Sequence, residues 1–472
     1  MRLGPIAGDR TLIRGGLLLP MDARYPSEFV GDVLLDGPRI AEVAARIDVG
    51  EAARVIDARG KIVTPGLVDT HRHLWQSVLR YVGADWTIAQ YARAAFGRFG
   101  PHFTPDDMYI SVLIGLVEAL DAGITQILDW DHNLNTPDHA DEVVRAHVDS
   151  RARVVLGYGQ GATQWLQTYG ESNLSEGSAP SSDIERLRSR YYASDESLRT
   201  LALAARGPEK APMSVSEAEW RQARELGLRI SVHVGNGLRA FERPIAQLES
   251  VGLLGDDTTY VHCSSLADDE IALIAASGGS ASCAPEIESN MGHGHPALGR
   301  LVAAGVPASL SADTCTNVSG DLFAVMRAAL ASVRESEHAS SHARGEPLGK
   351  LASTTYQMLQ LATLGGAVAN GLGDTTGSLT PGKSGDVVIF SCDAPNMFPL
   401  NTGAGTVVKG AHPGNVDTVF VAGRELKRGG QLVDVDLADL RRRAETCRDD
   451  LFTRAGVPQA EGAGSAGAPT RP

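Results

Sequence analysis

Val63-Thr-Pro-Gly-Leu-Val-Asp-Thr-His71-Arg-His73 is the stretch whose reading decides the fold. It starts β-branched and apolar and ends in two histidines one residue apart. In an extended strand, positions i and i+2 point to the same side. His71 and His73 therefore present two imidazoles to one point, and neutral imidazole is the commonest protein ligand for zinc-like metals. Pro65 and Gly66 allow a sharp entry into the strand. A lone His-x-His also fits a pair of satisfied or surface histidines. The reading therefore depends on further ligands at the ends of later strands.

Downstream, the sequence alternates. Residues 105–122 predict an amphipathic helix, with Ile110, Leu113, Ile114, Val117 and Leu120 at helical spacing and Thr104-Pro-Asp-Asp107 as its cap. Strands are predicted at 124–129, 153–158, 198–204, 229–234, 258–262, 280–284 and 306–313. Helices fall near 138–149, 214–226, 242–251, 267–277 and 297–304. Counting the His71 strand, eight strands alternate with helices, which predicts an α/β fold of the (β/α)8, TIM-like barrel type. His233 ends the fifth strand, His262 the sixth and Asp313 the eighth. Each alone reads as a satisfied core residue. Together with His71 and His73 they point to a metal site, because chemistry in such barrels sits at strand C-termini.

Both chain ends read as β-structure. Short strands separated by Gly, Pro and Asp turns occupy 11–64, and 386–433 reads the same way. The expected organisation is a small β-sandwich domain built from both ends (1–64 and 376–435) around a catalytic barrel (65–375). A charged helix at 436–453 and a Gly/Ala/Ser/Pro tail from Ala455 make up 436–472. The 472 residues are 43% apolar, enough for a large core, and the net charge is −14 with no long basic run. That balance argues against nucleic acid and anionic membranes as partners. Five scattered cysteines without a Cys-x-x-Cys fit a reduced, cytoplasmic protein. Neither a signal-peptide pattern nor an uninterrupted transmembrane run is seen.

With these pieces in place, the chain resembles the amidohydrolase superfamily over about residues 10–435. Within it, the chain is similar to the cytosine/guanine deaminase and triazine hydrolase branch. The likeness rests on Pro65-Gly-Leu-Val-Asp-Thr-His71-Arg-His73, Thr104-Pro-Asp-Asp, Asp121-Ala-Gly-Ile-Thr-Gln-Ile-Leu-Asp129, the His233 and His262 strands, Ala304-Gly-Val-Pro-Ala-Ser-Leu-Ser-Ala-Asp313, and the return at Gly377-Ser-Leu-Thr-Pro-Gly-Lys383-Ser-Gly-Asp386. It implies one divalent metal ion, usually Zn2+, held by His71, His73, His233 and Asp313. Three imidazoles and a carboxylate leave room for a water. It also implies that His262 hydrogen-bonds the water or developing oxyanion, and that Asp313 doubles as proton acceptor. Lys210 is the one candidate for a carboxylated bridging ligand, in a polar Pro208-Glu-Lys-Ala-Pro212 loop that reads as solvent-exposed. His293 or His295 is a candidate further ligand, a polar loop being the plainer reading.

One departure matters. Aminohydrolases of this branch usually carry a glutamate three residues after the strand-five histidine, where it shuttles protons. Here the stretch is His233-Val-Gly-Asn236. Asparagine cannot titrate, and losing a positioned proton carrier costs on the order of 10² to 10⁴ in rate. Either another acid substitutes, with Glu286 or Glu288 as candidates, or the enzyme is not a nucleobase deaminase. The second is the expectation. Candidate substrate contacts are Trp75, Gln76, Tyr158, Gln160, Asn236, Glu286, Asn290 and Met291, with Trp130-Asp131-His132 beside them. Trp75 and Trp130 read equally well as packing. Residues 160–197, with Trp165 and Tyr169, could close over the site, and Arg72, Arg80 or Arg206 could hold a substrate carboxylate.

The expected activity is metal-dependent amidohydrolase chemistry at a C–N centre of a small aromatic or heterocyclic substrate. The alternatives are a benzoxazole-type heterocycle-forming cyclase of secondary metabolism, a nucleobase-type aminohydrolase, and a non-catalytic binding protein. The expected partners are a small-molecule substrate and a second copy of the chain in a dimer.

Overall fold

A computed structural model describes residues 10–49, 53–159, 161, 182–194 and 198–458. The N-terminal part supplies β1 (Arg10–Leu18), β2 (Phe29–Asp36), β3 (Arg39–Ala44), β4 (Ala53–Asp57) and β5 (Ile62–Pro65). The deciding stretch then changes sheets, because Leu67 opens β6 (Leu67–Arg72). Gly66 makes the crossing. A Cβ there would sit 1.9 Å from Thr125 Oγ1, so no larger residue fits the close approach.

Next to β6 lie β7 (Ile124–Asp131), β8 (Arg153–Tyr158), β9 (Arg199–Ala205), β10 (Arg229–Val234), β11 (Thr258–His262), β12 (Ser280–Cys283) and β13 (Ala308–Leu310). They pair in chain order and all run parallel. Two bonds draw the first and last strands together. His73 N donates to Asp313 O at 2.8 Å, and Asp313 N donates to His71 O at 3.0 Å. The barrel seam is thus formed by residues of the candidate site. Below it, Thr70 Oγ1 meets Ser282 Oγ at 2.7 Å and Ser309 Oγ at 2.9 Å, a hydroxyl layer that satisfies its own polar groups.

The C-terminal strands β14 (Val387–Phe390), β15 (Val416–Val421), β16 (Arg424–Arg428) and β17 (Gln431–Leu432) rejoin the first sheet through an antiparallel β14–β5 ladder. The sheet is therefore nine-stranded and built from both chain ends. It packs its own core of Ile13, Leu18, Val33, Val63, Val387 and Phe420. A larger core, containing Trp75, Trp130 and Trp220, fills the space in and around the barrel.

Most predicted elements start and stop within a residue or two of expectation. β13 is shorter, since Pro307 lacks an N–H and Asp313 turns the chain at φ +61°. Residues 403–410, expected as strand, are helical. A long helix, Leu322–Ala343, was not anticipated. The last helix, Leu437–Arg454, lies on Pro105–Asp121, where Arg454 pairs with Asp107. All five cysteines are buried and free. Among the described residues no helix is long and apolar enough to cross a membrane.

One buried ion pair joins barrel to sheet. Arg153 of β8 donates to both oxygens of Asp386, at 2.8 and 3.2 Å, and Asp386 also accepts from Thr376, Ser384 and Ala422 N. Burial pushes the Asp386 carboxyl up, but Arg153 and these donors outweigh it and the pKa is lowered. A carboxyl lowered in the folded state adds stability above its unfolded value of about 3.9 and loses it as pH falls through the folded value. Asp386→Ala strands a buried guanidinium and should cost about 3–5 kcal/mol at pH 7. Urea melts should show that gap narrowing below about pH 4; a gap independent of pH would contradict this account.

Candidate active site

The alternation of β6 sets the first two groups. His71 and His73 share one side, their rings 4.7 Å apart, while Arg72 points outward to Gly320 O at 2.9 Å and to Glu118. His233, one residue before the end of β10, brings its ring to 4.6 Å from His71. Asp313 Oδ1 lies 3.4 Å from His71 Nε2 and 3.3 Å from His73 Nε2, and Oδ2 lies 3.9 Å from His262 Nε2. His262 and Asp313 both have positive φ, +73° and +61°. Such conformations cost about 1–3 kcal/mol and persist where surroundings enforce them.

These atoms form two overlapping groups, His71/His73/His233 and His71/His262/Asp313, each within 4.8 Å. They fit a zinc-like ion. His73 Nδ1 donates to Trp130 O at 2.7 Å, which leaves Nε2 as a lone pair aimed at the centre. Both His71 ring nitrogens and His233 Nδ1 are buried without a hydrogen-bond partner, a cost that a cation in the centre would relieve. Burial holds the imidazoles neutral, with His73 lowered to about 3 and His71 and His233 also lowered. Burial opposes charge on Asp313, but the surrounding histidines hold its carboxyl well below the usual range.

His262 is braced from behind. Its Nδ1 lies 3.3 Å from Glu288 Oε1, which also accepts from Ala284 N at 2.7 Å. Burial opposes a proton on His262, and Glu288 and Asp313 outweigh it, so its pKa is raised. Glu288→Gln keeps the volume and removes the charge that orients the ring. It should lower turnover about 10–100-fold with metal content unchanged; unchanged turnover would remove Glu288 from the site.

A pocket opens over this centre. Ile88, Tyr91, Phe96, His132, Asn236, Met291, His293 and Thr314 line it beside the metal-site residues. His132 stacks on His73 at 4.2 Å, and the His293 ring lies 4.7 Å from His262.

Several expected contacts fall elsewhere. Trp75 is fully buried, donates to His132 Nδ1 at 3.1 Å and packs on Phe103. Trp130 donates to Ser231 Oγ and backs the histidines. Gln76 braces the pocket from behind, donating to Tyr91 OH at 2.6 Å and accepting from Thr314 Oγ1 at 2.5 Å. Neither Tyr158 nor Glu286 is part of the pocket lining, and Asn290 and His295 are exposed. Arg72 and Arg80 pair with Glu118, and Arg206 pairs with Glu219, so none of the three faces a substrate. Gln160, Trp165 and Tyr169 lie outside the described residues.

Sequence reasoning missed two features. The Tyr91/Phe96 wall comes from a segment with no clean periodicity, a short helix at Ile88–Tyr91 continued by widened turns over Ala92–Phe99. The second is Glu209. The Pro208–Pro212 loop is not solvent-exposed: Glu209 is 1% and Lys210 4% accessible. Glu209 Oε1 accepts from Gly235 N at 2.5 Å and Oε2 from Asn236 Nδ2 at 3.3 Å. Its place just past the C-terminal end of β9 was the available signal.

The amidohydrolase family model matches residues 62–426. A 5′-deoxyadenosine deaminase of Methanothermobacter thermautotrophicus is 30% identical, covering 85% of this chain and 90% of its own. An isoxanthopterin deaminase from an unknown prokaryotic organism is 29% identical over 91% of this chain and 95% of its own. Among solved structures, a zinc-bound adenosine deaminase from Xanthomonas campestris superposes with TM-score 0.80 at 22% identity, covering 95% of this chain and 100% of its own. An atrazine chlorohydrolase from Arthrobacter aurescens complexed with zinc does so with TM-score 0.80 at 22% identity, covering 93% and 100%. These two likenesses speak for the fold. The chain belongs to the amidohydrolase family and is a hydrolase acting on C–N bonds.

Proposed function

We propose that the protein is a metal-dependent aminohydrolase that releases ammonia from an aminated nitrogen heterocycle. The observation that carries this reading is the convergence of four histidines and Asp313 at the barrel mouth, with buried Glu209 behind Asn236. The case against deamination rested on asparagine standing where the branch carries its proton-shuttling glutamate, and Glu209 puts a buried carboxyl directly behind that position. The relatives above, named as deaminases, support the same direction. Neither the fold nor the relatives favour the heterocycle-forming alternative.

In this reading His71, His73, His233 and Asp313 would hold one divalent ion, which when bound supplies Lewis acidity and makes water acidic enough to attack near neutral pH. Asp313 takes the proton of the attacking water. Turning that water into a carbonyl oxygen releases two protons, one of which goes to the ring nitrogen and the other to the departing amine as ammonia leaves. His262, steered by Glu288, supports the developing oxyanion and relays the proton. Ile88, Tyr91, Phe96 and Met291 supply flat apolar surface for a ring and exclude water around it.

Ammonia release from aminated purines, pyrimidines and pteridines, followed with zinc-loaded protein, tests the proposal. Release from at least one ring, at rates well above the protein-free control, is expected. A panel in which none of the three ring classes yields ammonia would refute it.

A further inference from the structure

Asn236 sits three residues beyond His233, where Gly235 at φ +76° turns the chain off β10. A Cβ on Gly235 would meet the Cys263 backbone at 2.8 Å, so the turn is held tightly. Asn236 is 7% accessible and lines the pocket. Its Nδ2 is directed to Glu209 Oε2 at 3.3 Å, while Glu209 Oε1 is taken by Gly235 N. With both carboxylate oxygens acting as acceptors, the amide has one orientation. Its Oδ1 is then the group turned away from Glu209, and it is buried with no hydrogen-bond partner. A buried amide oxygen is acceptor-only, and leaving it unmatched by a ligand costs free energy.

We infer that Asn236, positioned by Glu209, selects rings in which the nitrogen beside the reacting carbon carries hydrogen, an amino-lactam or cyclic guanidine, over rings that offer a lone pair there, such as 6-aminopurines. This inference rests on the aminohydrolase reading and adds the substrate class. A lone pair set against Oδ1 leaves two acceptors facing each other in a dry pocket. An N–H satisfies Oδ1 and places a donor where the polarity of the wall asks for one. Sites built around a hydrogen bond reject an analogue that lacks it far more strongly than apolar sites reject a missing methylene.

The test compares ring pairs that differ at this nitrogen: guanine with 2-aminopurine, and pterin with 2-aminopteridine. Binding to zinc-loaded protein is measured by isothermal titration, with ammonia recorded in the same samples. The N–H member of at least one pair should bind about 10–100-fold more tightly. Asn236→Leu should abolish the preference at unchanged zinc content. In Glu209→Gln the new amide can donate to Asn236 Oδ1 and turn its NH2 towards the pocket, so the preference should shrink or invert, which a merely structural role would not produce. Equal or tighter binding of the lone-pair members, binding of neither member of any pair, or a preference that survives Asn236→Leu overturns the inference. Intact preference without ammonia would instead sink the aminohydrolase reading and leave the acceptor role standing.

Discussion

His71→Ala, His73→Ala, His233→Ala and Asp313→Ala proteins should each lose most of the divalent metal that the wild type carries, and turnover should fall to the detection limit. His71, His73 and His233 cluster together, and Asp313 Oδ1 lies 3.4 and 3.3 Å from His71 and His73, so removing one opens the shell rather than shifting it. Losing one ligand weakens the hold on the ion, and the metal supplies the chemistry that no side chain here can replace. Elemental analysis after chelator-free purification gives the metal content, and circular dichroism confirms folding. The fold should persist, because the seam bonds that join His71 and His73 to Asp313 are backbone to backbone and survive truncation of these side chains. Any of these variants that keeps wild-type metal and rate would remove that residue from the shell.

His262→Ala should behave differently, keeping its metal and losing turnover by about 10² or more, the range of a positioned acid–base group or oxyanion donor. The geometry puts the ring within reach of both the metal shell and Asp313, at 3.9 Å from Oδ2, while its other nitrogen is committed to Glu288. Loss of metal in this variant would make His262 a ligand. Retention of both metal and rate would move the proton elsewhere, with Glu209 the next residue to examine.

Much of this was legible in the chain. Strands β8, β10 and β11 begin and end where local pattern puts them, because each is a short apolar run bounded by turn residues. His71, His73, His233, His262 and Asp313 were legible for a different reason: chemically marked residues recur at the C-terminal ends of those runs. The pocket wall was not. Trp75 follows His73 by two residues and, on strand alternation, would face the site. The chain instead coils into a tight turn at Leu74–Leu79, the alternation ends, and the indole packs under His132. Glu209 looked solvated because it sits between Pro208 and Lys210. Its burial is compensated by Gly235 N and Asn236, partners that become neighbours only when β9 and β10 lie side by side. Local pattern carries no record of such pairings. The Arg72 guanidinium shows the converse, since alternation alone places it opposite the histidines and away from any substrate.

Anomalous scattering at the zinc edge, from crystals of the zinc-loaded protein, tests the central claim most directly. The account predicts one strong peak at about 2.0–2.2 Å from a ring nitrogen of His71, His73 and His233 and from a carboxylate oxygen of Asp313, with His262 beside it and His293 unligated. No peak at the barrel mouth, or a peak coordinated by His262 and His293 in place of His73 and His233, would contradict it.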